Sequence, residues 1–167
     1  SKYLVLEADE WNKSFYNYFP KVAVLTNIDK EHLDTYKNFR GVVRGFASYL
    51  KNLPEDGILV ANWQDKAVRR ISLAIKKRAA GKNKINDRKV VFYNQGKFKK
   101  HPLAIPGVHN QVNAEAAWQT AKIFGIRKSE ADKVFKNYHG AWRRLEELEI
   151  GNWKLEIGKP KVYTDYA

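Results

Sequence analysis

The amino-acid sequence predicts an α/β fold in which a mostly parallel sheet is flanked by helices and followed by an antiparallel hairpin. Short, fully apolar runs recur along the chain, and such runs are typical of parallel strands that are buried on both faces. Segments with apolar residues at helical spacing lie between several of these runs, as expected for strands joined by helical crossovers. After Gly140 apolar and polar residues alternate, which indicates an antiparallel hairpin.

Four apolar runs define the predicted strands of the parallel sheet: residues 3–6, 22–25, 58–61 and 90–93. We expect the first run to be a buried strand whose carboxyl end carries Glu7, Asp9 and Glu10. The second run ends at Thr26 and Asn27. Polar residues therefore follow both strands at the point where ligands bind in open parallel sheets.

Helical spacing predicts helices over residues 39–50, 67–75 and 110–124, and a shorter helix through Val134 and Phe135. Gly125 is expected to end the third helix, and Ser129 is expected to cap the fourth. In the predicted hairpin, apolar residues alternate on either side of a turn near residues 151–152, and a last strand begins at Val162.

The composition excludes several classes of protein. A chain of 167 residues with 44% hydrophobic residues can bury the core of one domain. No apolar run approaches the roughly 18 residues of a membrane span, so no membrane association is expected. The chain has no Cys, so neither disulfides nor thiolate chemistry is available. These features together predict a cytoplasmic protein.

The formal net charge of +13 predicts attraction to anions such as nucleic acid, acidic membranes or nucleotides. The alternative is that the lysine-rich helix faces are simply solvated. No recognised nucleic-acid-binding motif is present, so nucleic acid is not an expected partner.

Two segments at predicted strand ends carry candidate cation ligands. Residues 7–10 contain three acids, and residues 26–34 contain further acids together with His32. Carboxylate oxygens and an imidazole nitrogen that converge from neighbouring strands can hold a divalent cation. The alternative is a set of solvated loop acids and one surface histidine.

Five segments of the sequence resemble motifs of the Mur ligases, in the family's order and spacing. They are similar to EADE-x-x-x-SF, TNI-x-x-DHLD-x-Y, PG-x-HN-x-x-NA-x-AA, G-x-x-RRFE and the start of DDYAHHP. The matching residues are 7–15, 26–36, 106–117, 140–146 and 165–167. Together the segments span nearly the whole chain, which makes the resemblance specific.

The resemblance implies ATP and Mg²⁺ as cofactors and assigns the catalytic centre. Glu7 matches a glutamate that binds magnesium beside the γ-phosphate, and His32 matches a histidine associated with a second magnesium. Arg144 resembles an arginine near the nucleotide, whose guanidinium can pair with phosphate or carboxylate. Without the resemblance, Arg144 could equally be a surface charge.

The resemblance also implies an adenosine pocket. Asn110 and Asn113 match asparagines on the adenine side, His109 matches a histidine that borders the pocket, and Asp165 matches an aspartate that binds the ribose hydroxyls. An amide offers the donor and acceptor that suit an adenine edge. Asn110 could instead cap its helix. His101 and His139 match no family position, so we expect surface or structural roles for these two histidines.

Several departures from the family pattern are visible. Glu31, Leu145 and Thr164 replace the family's aspartate, phenylalanine and aspartate. The motif G-x-x-x-x-G-K-[ST] of the ATP phosphate loop does not occur. We therefore interpret residues 1–167 as part of a Mur ligase central domain, without the phosphate loop, the amino-terminal UDP-binding domain and the carboxyl-terminal domain.

The expected parent reaction is ATP-dependent joining of an amino acid to UDP-N-acetylmuramic acid through an acyl phosphate, in peptidoglycan synthesis. The EADE form, rather than an ELSS or EVSS form, resembles the branch that adds L-alanine or the related branch that reattaches a recycled tripeptide. Of these two we favour the branch that adds L-alanine. We expect the isolated chain to be inactive. One alternative is a non-catalytic remnant that binds nucleotides or other Mur proteins, and a less favoured one is a basic nucleic-acid-binding domain. The sequence does not identify the added amino acid or the oligomeric state.

Overall fold

Among the residues that the structure describes, three parallel strands form one sheet, in which the second strand along the chain lies in the centre. A computed structural model describes residues 2–79, 89–96, 100–141, 146–148 and 162–164 of the chain. The strands are β1 (Val22–Leu25), β2 (Ile58–Asn62) and β3 (Lys89–Tyr93). Val22 of β1 lies opposite Ile58 of β2, which lies opposite Lys89 of β3. The strand direction and three of the four predicted strands are thus confirmed.

One face of this sheet is covered by helices from the first half of the chain. They are α1 (Leu33–Tyr36), α2 (Phe39–Tyr49) and α3 (Lys66–Ala79). Leu25 and Leu59 pack in one core cluster with Val42 of α2 and Val68 of α3, all of them buried. Because these strand and helix positions are apolar at their own periods, burial of this face is the main force that holds the helices on the sheet.

The opposite face is covered by α4 (Val108–Ile123), against which α5 (Lys128–Lys136) packs. Val60 and Tyr93 of the sheet meet Ala116 of α4 in a second core cluster. On another side of α4, Ala114 packs against Phe135 of α5. The small alanine side chains allow both close approaches, so the chain forms helix, sheet and helix layers.

A separate two-stranded antiparallel sheet follows α5. It consists of β4 (Glu146–Leu148) and β5 (Val162–Thr164), with Glu147 opposite Tyr163. A strand beginning at Val162 was predicted and is confirmed, but its pairing with β4 was not predicted. The predicted turn near residues 151–152 and the segment that follows it lie outside the described residues. No helix in the described part of the chain is long and apolar enough to cross a membrane.

The predicted first strand, residues 3–6, is wrong. These residues form no strand, and Leu4 and Val5 expose 84% and 93% of their surface. An apolar run becomes a buried strand only when a neighbouring strand satisfies its backbone and helices cover its faces. Within the described residues no strand pairs with this segment, and Tyr3 packs instead against the ring of Phe124 at 4.7 Å between centroids.

The predicted cap of α5 is also wrong. Arg127 occupies the N-cap position and Ser129 lies inside the helix. The carboxylate of Glu130 accepts the backbone N–H of Arg127 at 2.9 Å. Glu130 therefore stabilises a helix start at Arg127, two residues before the predicted cap. Hydrogen bonds from the Arg127 side chain and backbone hold the pKa of Glu130 below its ordinary value.

Candidate functional site

The segment before β1 is folded into a compact loop by Asp9. The side-chain carboxylate of Asp9 accepts the backbone N–H of Trp11 at 2.8 Å. The backbone carbonyl of Asp9 accepts the backbone N–H of Phe15 at 2.9 Å. Ser14 donates its hydroxyl to the same carbonyl at 3.0 Å. The Phe15 ring is buried and stacks on Tyr49 of α2, with centroids 4.8 Å apart. Glu10 is thereby held at the edge of a well-anchored loop.

Three side chains of types that can bind a cation converge between this loop and α1. One ligand atom each from Glu10, Glu31 and His32 lies within 4.8 Å of the others. Nε2 of His32 is 3.7 Å from Oε1 of Glu10, and both side chains are about 30% exposed (32% and 28%). We name Glu10, Glu31 and His32 the acidic–histidine cluster. It lies beyond the carboxyl end of β1, where the sequence predicts a ligand site.

His32 holds an unusual backbone conformation. It is the N-cap of α1 with φ of +51°, in the left-handed region that non-glycine residues seldom adopt. Its carbonyl accepts the backbone N–H groups of Thr35 and Tyr36, each at 3.0 Å. Backbone strain of this kind costs roughly 1–3 kcal/mol and often accompanies a functional site, because the surrounding structure must hold it in place.

Tyr36 connects the two segments that carry the acidic–histidine cluster. Its hydroxyl donates to the carbonyl of Glu10 at 2.6 Å, while its backbone N–H bonds to His32. Burial of the phenol, followed by the nearby Tyr16, Glu10 and Asp9, raises the pKa of Tyr36 to about 12. The hydroxyl therefore stays protonated and can keep donating throughout the neutral pH range.

Gly41 and Gly45 of α2 provide the space for Tyr36. A Cβ at Gly45 would lie 2.6 Å from Cε1 of the ring, and one at Gly41 would overlap the Tyr36 carbonyl oxygen. Two glycines inside a helix lower its intrinsic stability by roughly 1 kcal/mol each relative to alanine. Here they permit the ring to pack directly against the helix backbone.

The donor set of the acidic–histidine cluster fits a divalent cation. Two carboxylates supply hard oxygen ligands, and the imidazole can bind the ion directly or hold its bound water. The ligand atoms are close enough to share one ion, and all three side chains retain access to solvent. The residues present therefore fit a cation that keeps several water ligands, as Mg²⁺ does.

Glu7, which was predicted together with His32 to bind magnesium, lies on the exposed segment that follows residues 3–6. It is not part of the acidic–histidine cluster, in which Glu10 and Glu31 are the carboxylates. The signal for these two residues was present in the sequence, because both belong to the acid-rich segments at predicted strand ends. A role for Glu7 in cation binding stays a prediction.

The predicted adenine-side residues lie at the start of α4. Gly107 is the N-cap with φ of +108°, and a Cβ there would lie 2.7 Å from the His109 ring. Asn110 is half-buried and donates its side-chain amide to the carbonyl of Pro106 at 2.6 Å, so it is not the helix cap. Asn113 is exposed one turn further along the same side of the helix. The two amides therefore share a helix face.

Two further predicted site residues, Arg144 and Asp165, lie outside the described residues. Their roles near the phosphates and at the ribose stay predictions. Of the two other histidines, His139 is exposed, whereas His101 is buried and contacts Glu115.

An amide network that sequence reasoning missed joins the carboxyl ends of the three strands. Asn62, at the end of β2, donates to the carbonyl of Thr26 after β1 at 2.9 Å. Its amide oxygen accepts the backbone N–H of Gln64 at 3.1 Å and the side chain of Asn94 at 3.3 Å. Gln64 in turn donates to the carbonyl of Asn94 at 3.1 Å. These bonds fix the strand ends from which the site loops leave.

Comparison with known proteins identifies the family to which this domain belongs. The sequence model of the family named Mur ligase middle domain matches residues 1–121, which include the acidic–histidine cluster and the start of α4. The chain belongs to the Mur ligase family. Its amino-terminal segment, its left-handed histidine and its α4 asparagines are thus parts of one family domain.

Curated Mur ligase relatives match the whole chain. It is 34% identical over 184 residues to UDP-N-acetylmuramate–L-alanine ligase of Arthrobacter sp. (strain FB24). This alignment covers 100% of the chain and 38% of that protein. It is 32% identical over 183 residues to the ligase of the same name from Caldicellulosiruptor saccharolyticus, with 39% of that protein covered. The chain therefore spans less than half the length of the curated relatives that it matches.

Solved structures of Mur ligases share the fold. MurF from Acinetobacter baumannii is similar with a TM-score of 0.65 and 20% identity, over 84% of this chain and 34% of that one. UDP-N-acetylmuramate-alanine ligase MurC from Thermotoga maritima is similar with a TM-score of 0.63 and 18% identity, over 93% and 36% of the two chains. At this identity the likeness supports the α/β architecture alone.

Proposed function

We propose that the chain is the central, nucleotide-handling part of an ATP-dependent Mur ligase that joins an amino acid to UDP-N-acetylmuramic acid in peptidoglycan synthesis. The observation that supports this most strongly is the acidic–histidine cluster at the carboxyl end of β1, within the segment that matches the Mur ligase middle domain. L-Alanine is the proposed amino acid, because the curated relatives are named UDP-N-acetylmuramate–L-alanine ligases.

In this proposal Glu10, Glu31 and His32 hold Mg²⁺, directly or through its water, with Glu7 as a further candidate ligand. Magnesium would neutralise the negative charge on the phosphoryl oxygens during formation of an acyl phosphate. The protein's contribution is geometric. Tyr36 holds the Glu10 and His32 segments together, and the amide network fixes the strand ends from which they leave.

Asn110 and Asn113 supply the adenine side of the proposed nucleotide site, bordered by His109. Asp165 is proposed to accept the ribose hydroxyls, and Arg144 is proposed to pair with phosphate or carboxylate. No side chain of the chain acts as a covalent nucleophile in this proposal, because the amino group of the incoming amino acid attacks the acyl phosphate.

The isolated chain is proposed to lack turnover. Its sequence contains no phosphate-loop motif, whose backbone N–H groups and lysine hold the triphosphate for attack. Incubation of the purified chain with ATP, Mg²⁺, UDP-N-acetylmuramic acid and L-alanine should therefore release no phosphate. Magnesium-dependent phosphate release in this assay would contradict this part of the proposal.

The cation site is tested with Mn²⁺, a paramagnetic probe for Mg²⁺ sites, titrated into the chain and followed by proton relaxation of water. Glu10→Gln, Glu31→Gln and Glu7→Gln are compared with Glu55→Gln, which changes an exposed acid outside the cluster. Loss of a carboxylate ligand from the cluster should weaken Mn²⁺ affinity at least about tenfold, as expected when one strong metal ligand is removed. Equal affinities for Glu10→Gln, Glu31→Gln and Glu55→Gln would refute the assignment, and Glu7→Gln decides whether Glu7 takes part.

A further inference from the structure

A buried polar pair outside the acidic–histidine cluster joins the loop before α4 to α4 itself. His101 and Glu115 are 3% and 5% exposed, and Nε2 of His101 is 2.7 Å from Oε2 of Glu115. The other carboxylate oxygen accepts the side-chain amide of Gln119 at 2.8 Å. Removing ionisable groups from water costs several kcal/mol per ion, so a buried pair of this kind is weak evidence for stability. Its geometry is more informative, because it fixes where two segments meet.

The backbone of His101 is bonded to the same helix. Oε1 of Gln111 accepts the His101 backbone N–H at 2.6 Å, and Nε2 of Gln111 donates to the His101 carbonyl at 3.1 Å. Residues 111, 115 and 119 are four apart and so form one polar stripe along α4. The His101 ring also meets Phe135 of α5 edge-on, with centroids 5.2 Å apart. His101 is therefore held by its backbone and by its ring.

The segment that starts at His101 ends at the proposed adenine side. Five residues later, the carbonyl of Pro106 accepts the side-chain amide of Asn110 at 2.6 Å. Gln111, which binds the His101 backbone, directly follows Asn110 in the first turn of α4. Residues 101–106 thus run between two attachments to the same helical turn, and we name this segment the strap.

We propose that His101, Gln111 and Glu115 are positioning residues that lock the strap on α4 and thereby set the orientation of Asn110 toward an adenine base. The inference rests on the proposed function only for the identity of the base. The amide of Asn110 donates to a carbonyl of the strap, so the position of that carbonyl determines which way the remaining amide donor and acceptor point. A free strap would leave the Asn110 side chain to rotate, and binding would then have to restore its order.

The decisive variant is Gln111→Ala, which suits a helix and removes both bonds to the His101 backbone. AMP serves as a soluble adenosine probe, titrated into the full chain and followed by amide chemical shifts. We expect AMP affinity to fall about fivefold, the scale of a modest coupling between two sites. We also expect the amide hydrogens of His101 and Leu103 to exchange faster, since Leu103 donates to the His101 carbonyl at 2.8 Å.

A second variant keeps the test valid if Gln111→Ala folds poorly. Replacing His101 and Glu115 together by leucine removes the pair without leaving one buried charge alone, so the fold should survive. The matched control is Val68→Ala, which opens a cavity in the core on the other side of the sheet. Val68→Ala should lower the melting temperature but leave AMP affinity unchanged, measured well below the melting temperature of every variant.

Two results would overturn the positioning role. The first is wild-type AMP affinity in both strap variants, which are Gln111→Ala and the double leucine variant of His101 and Glu115. The second is a loss of AMP affinity no greater than that of Val68→Ala at a matched melting temperature. Absence of AMP binding by the wild-type chain would refute the adenine assignment instead. In that case hydrogen exchange decides the strap, because unchanged exchange at His101 and Leu103 in both strap variants would show that the lock does not exist.

Discussion

The contact between Tyr36 and Glu10 gives a quantitative prediction for Tyr36→Phe. The substitution removes one partly buried hydrogen bond and keeps the ring that fills the space beside Gly45. The Glu10 carbonyl retains the backbone N–H of Lys13 at 3.0 Å, so it is not left without a donor. The free energy of unfolding at pH 8 should therefore fall by about 1 kcal/mol, the usual net value of a neutral hydrogen bond.

The same substitution should act in the opposite direction at high pH. Burial and its neighbours raise the pKa of Tyr36 from 10.0 to about 12, so the folded state resists ionisation of the phenol. The stability contributed by the neutral phenol is complete below pH 10 and is lost as the pH rises toward 12. At pH 11 the wild-type chain should have lost about 1.4 kcal/mol that the phenylalanine variant cannot lose. The two chains should thus be equally stable between pH 10 and pH 11, and the phenylalanine variant should be slightly more stable at pH 11.

Urea unfolding followed by tryptophan fluorescence at pH 8, 10 and 11 measures both effects. Tyr138→Phe is the control, since Tyr138 is an exposed tyrosine. A stability difference that is the same at all three pH values would refute the burial argument. Equal stability of the wild type and Tyr36→Phe at pH 8 would refute the hydrogen-bond argument.

Three further predictions concern the packing of α2, the burial of β2 and the proposed adenine side of α4. Gly41→Ala should destabilise the chain by at least about 2 kcal/mol despite the better helix propensity of alanine, because the new methyl group overlaps the backbone of Tyr36. Leu59→Ala in the buried β2 should cost about 3 kcal/mol in urea unfolding, whereas Val5→Ser in the exposed amino-terminal segment should change stability by less than about 0.5 kcal/mol. In a complete ligase, Asn113→Ala should raise the KM for ATP more than it lowers kcat, because adenine binding is largely equal in the ground and transition states; unchanged ATP kinetics would show that the adenine side is misassigned.

The sheet and its main helices could be predicted because their residues satisfy one local pattern and one tertiary environment at the same time. Residues 58–61 are apolar throughout, and β2 is the central strand with a helix layer on each face. Residues 3–6 have the same composition, yet they are exposed. Composition reports that a segment can be buried in a sheet, but pairing with a neighbouring strand decides whether it is.

The candidate site was predictable as a region but not as a set of contacts. The acid-rich segments and His32 indicated a cation site, whereas the grouping of Glu10 and Glu31 with His32 depends on the left-handed turn at His32 and the long-range bond of Tyr36. The contact of His101 with Glu115 could not be read from spacing, because it joins a loop residue to a helix fourteen positions away. Such contacts depend on how loops fold back, which local patterns do not encode.

The parallel register of the sheet has a consequence for how the chain folds. Val22 pairs with Ile58, which lies 36 positions further along, and Ile58 pairs with Lys89, 31 positions beyond it. The entropy of closing each loop must be lost before the corresponding pairing contributes, so sheet formation should be slower than formation of α2 and α3. During synthesis from the amino terminus, β1 emerges well before β2, so the pairing of these two strands must wait until residue 58 has been made.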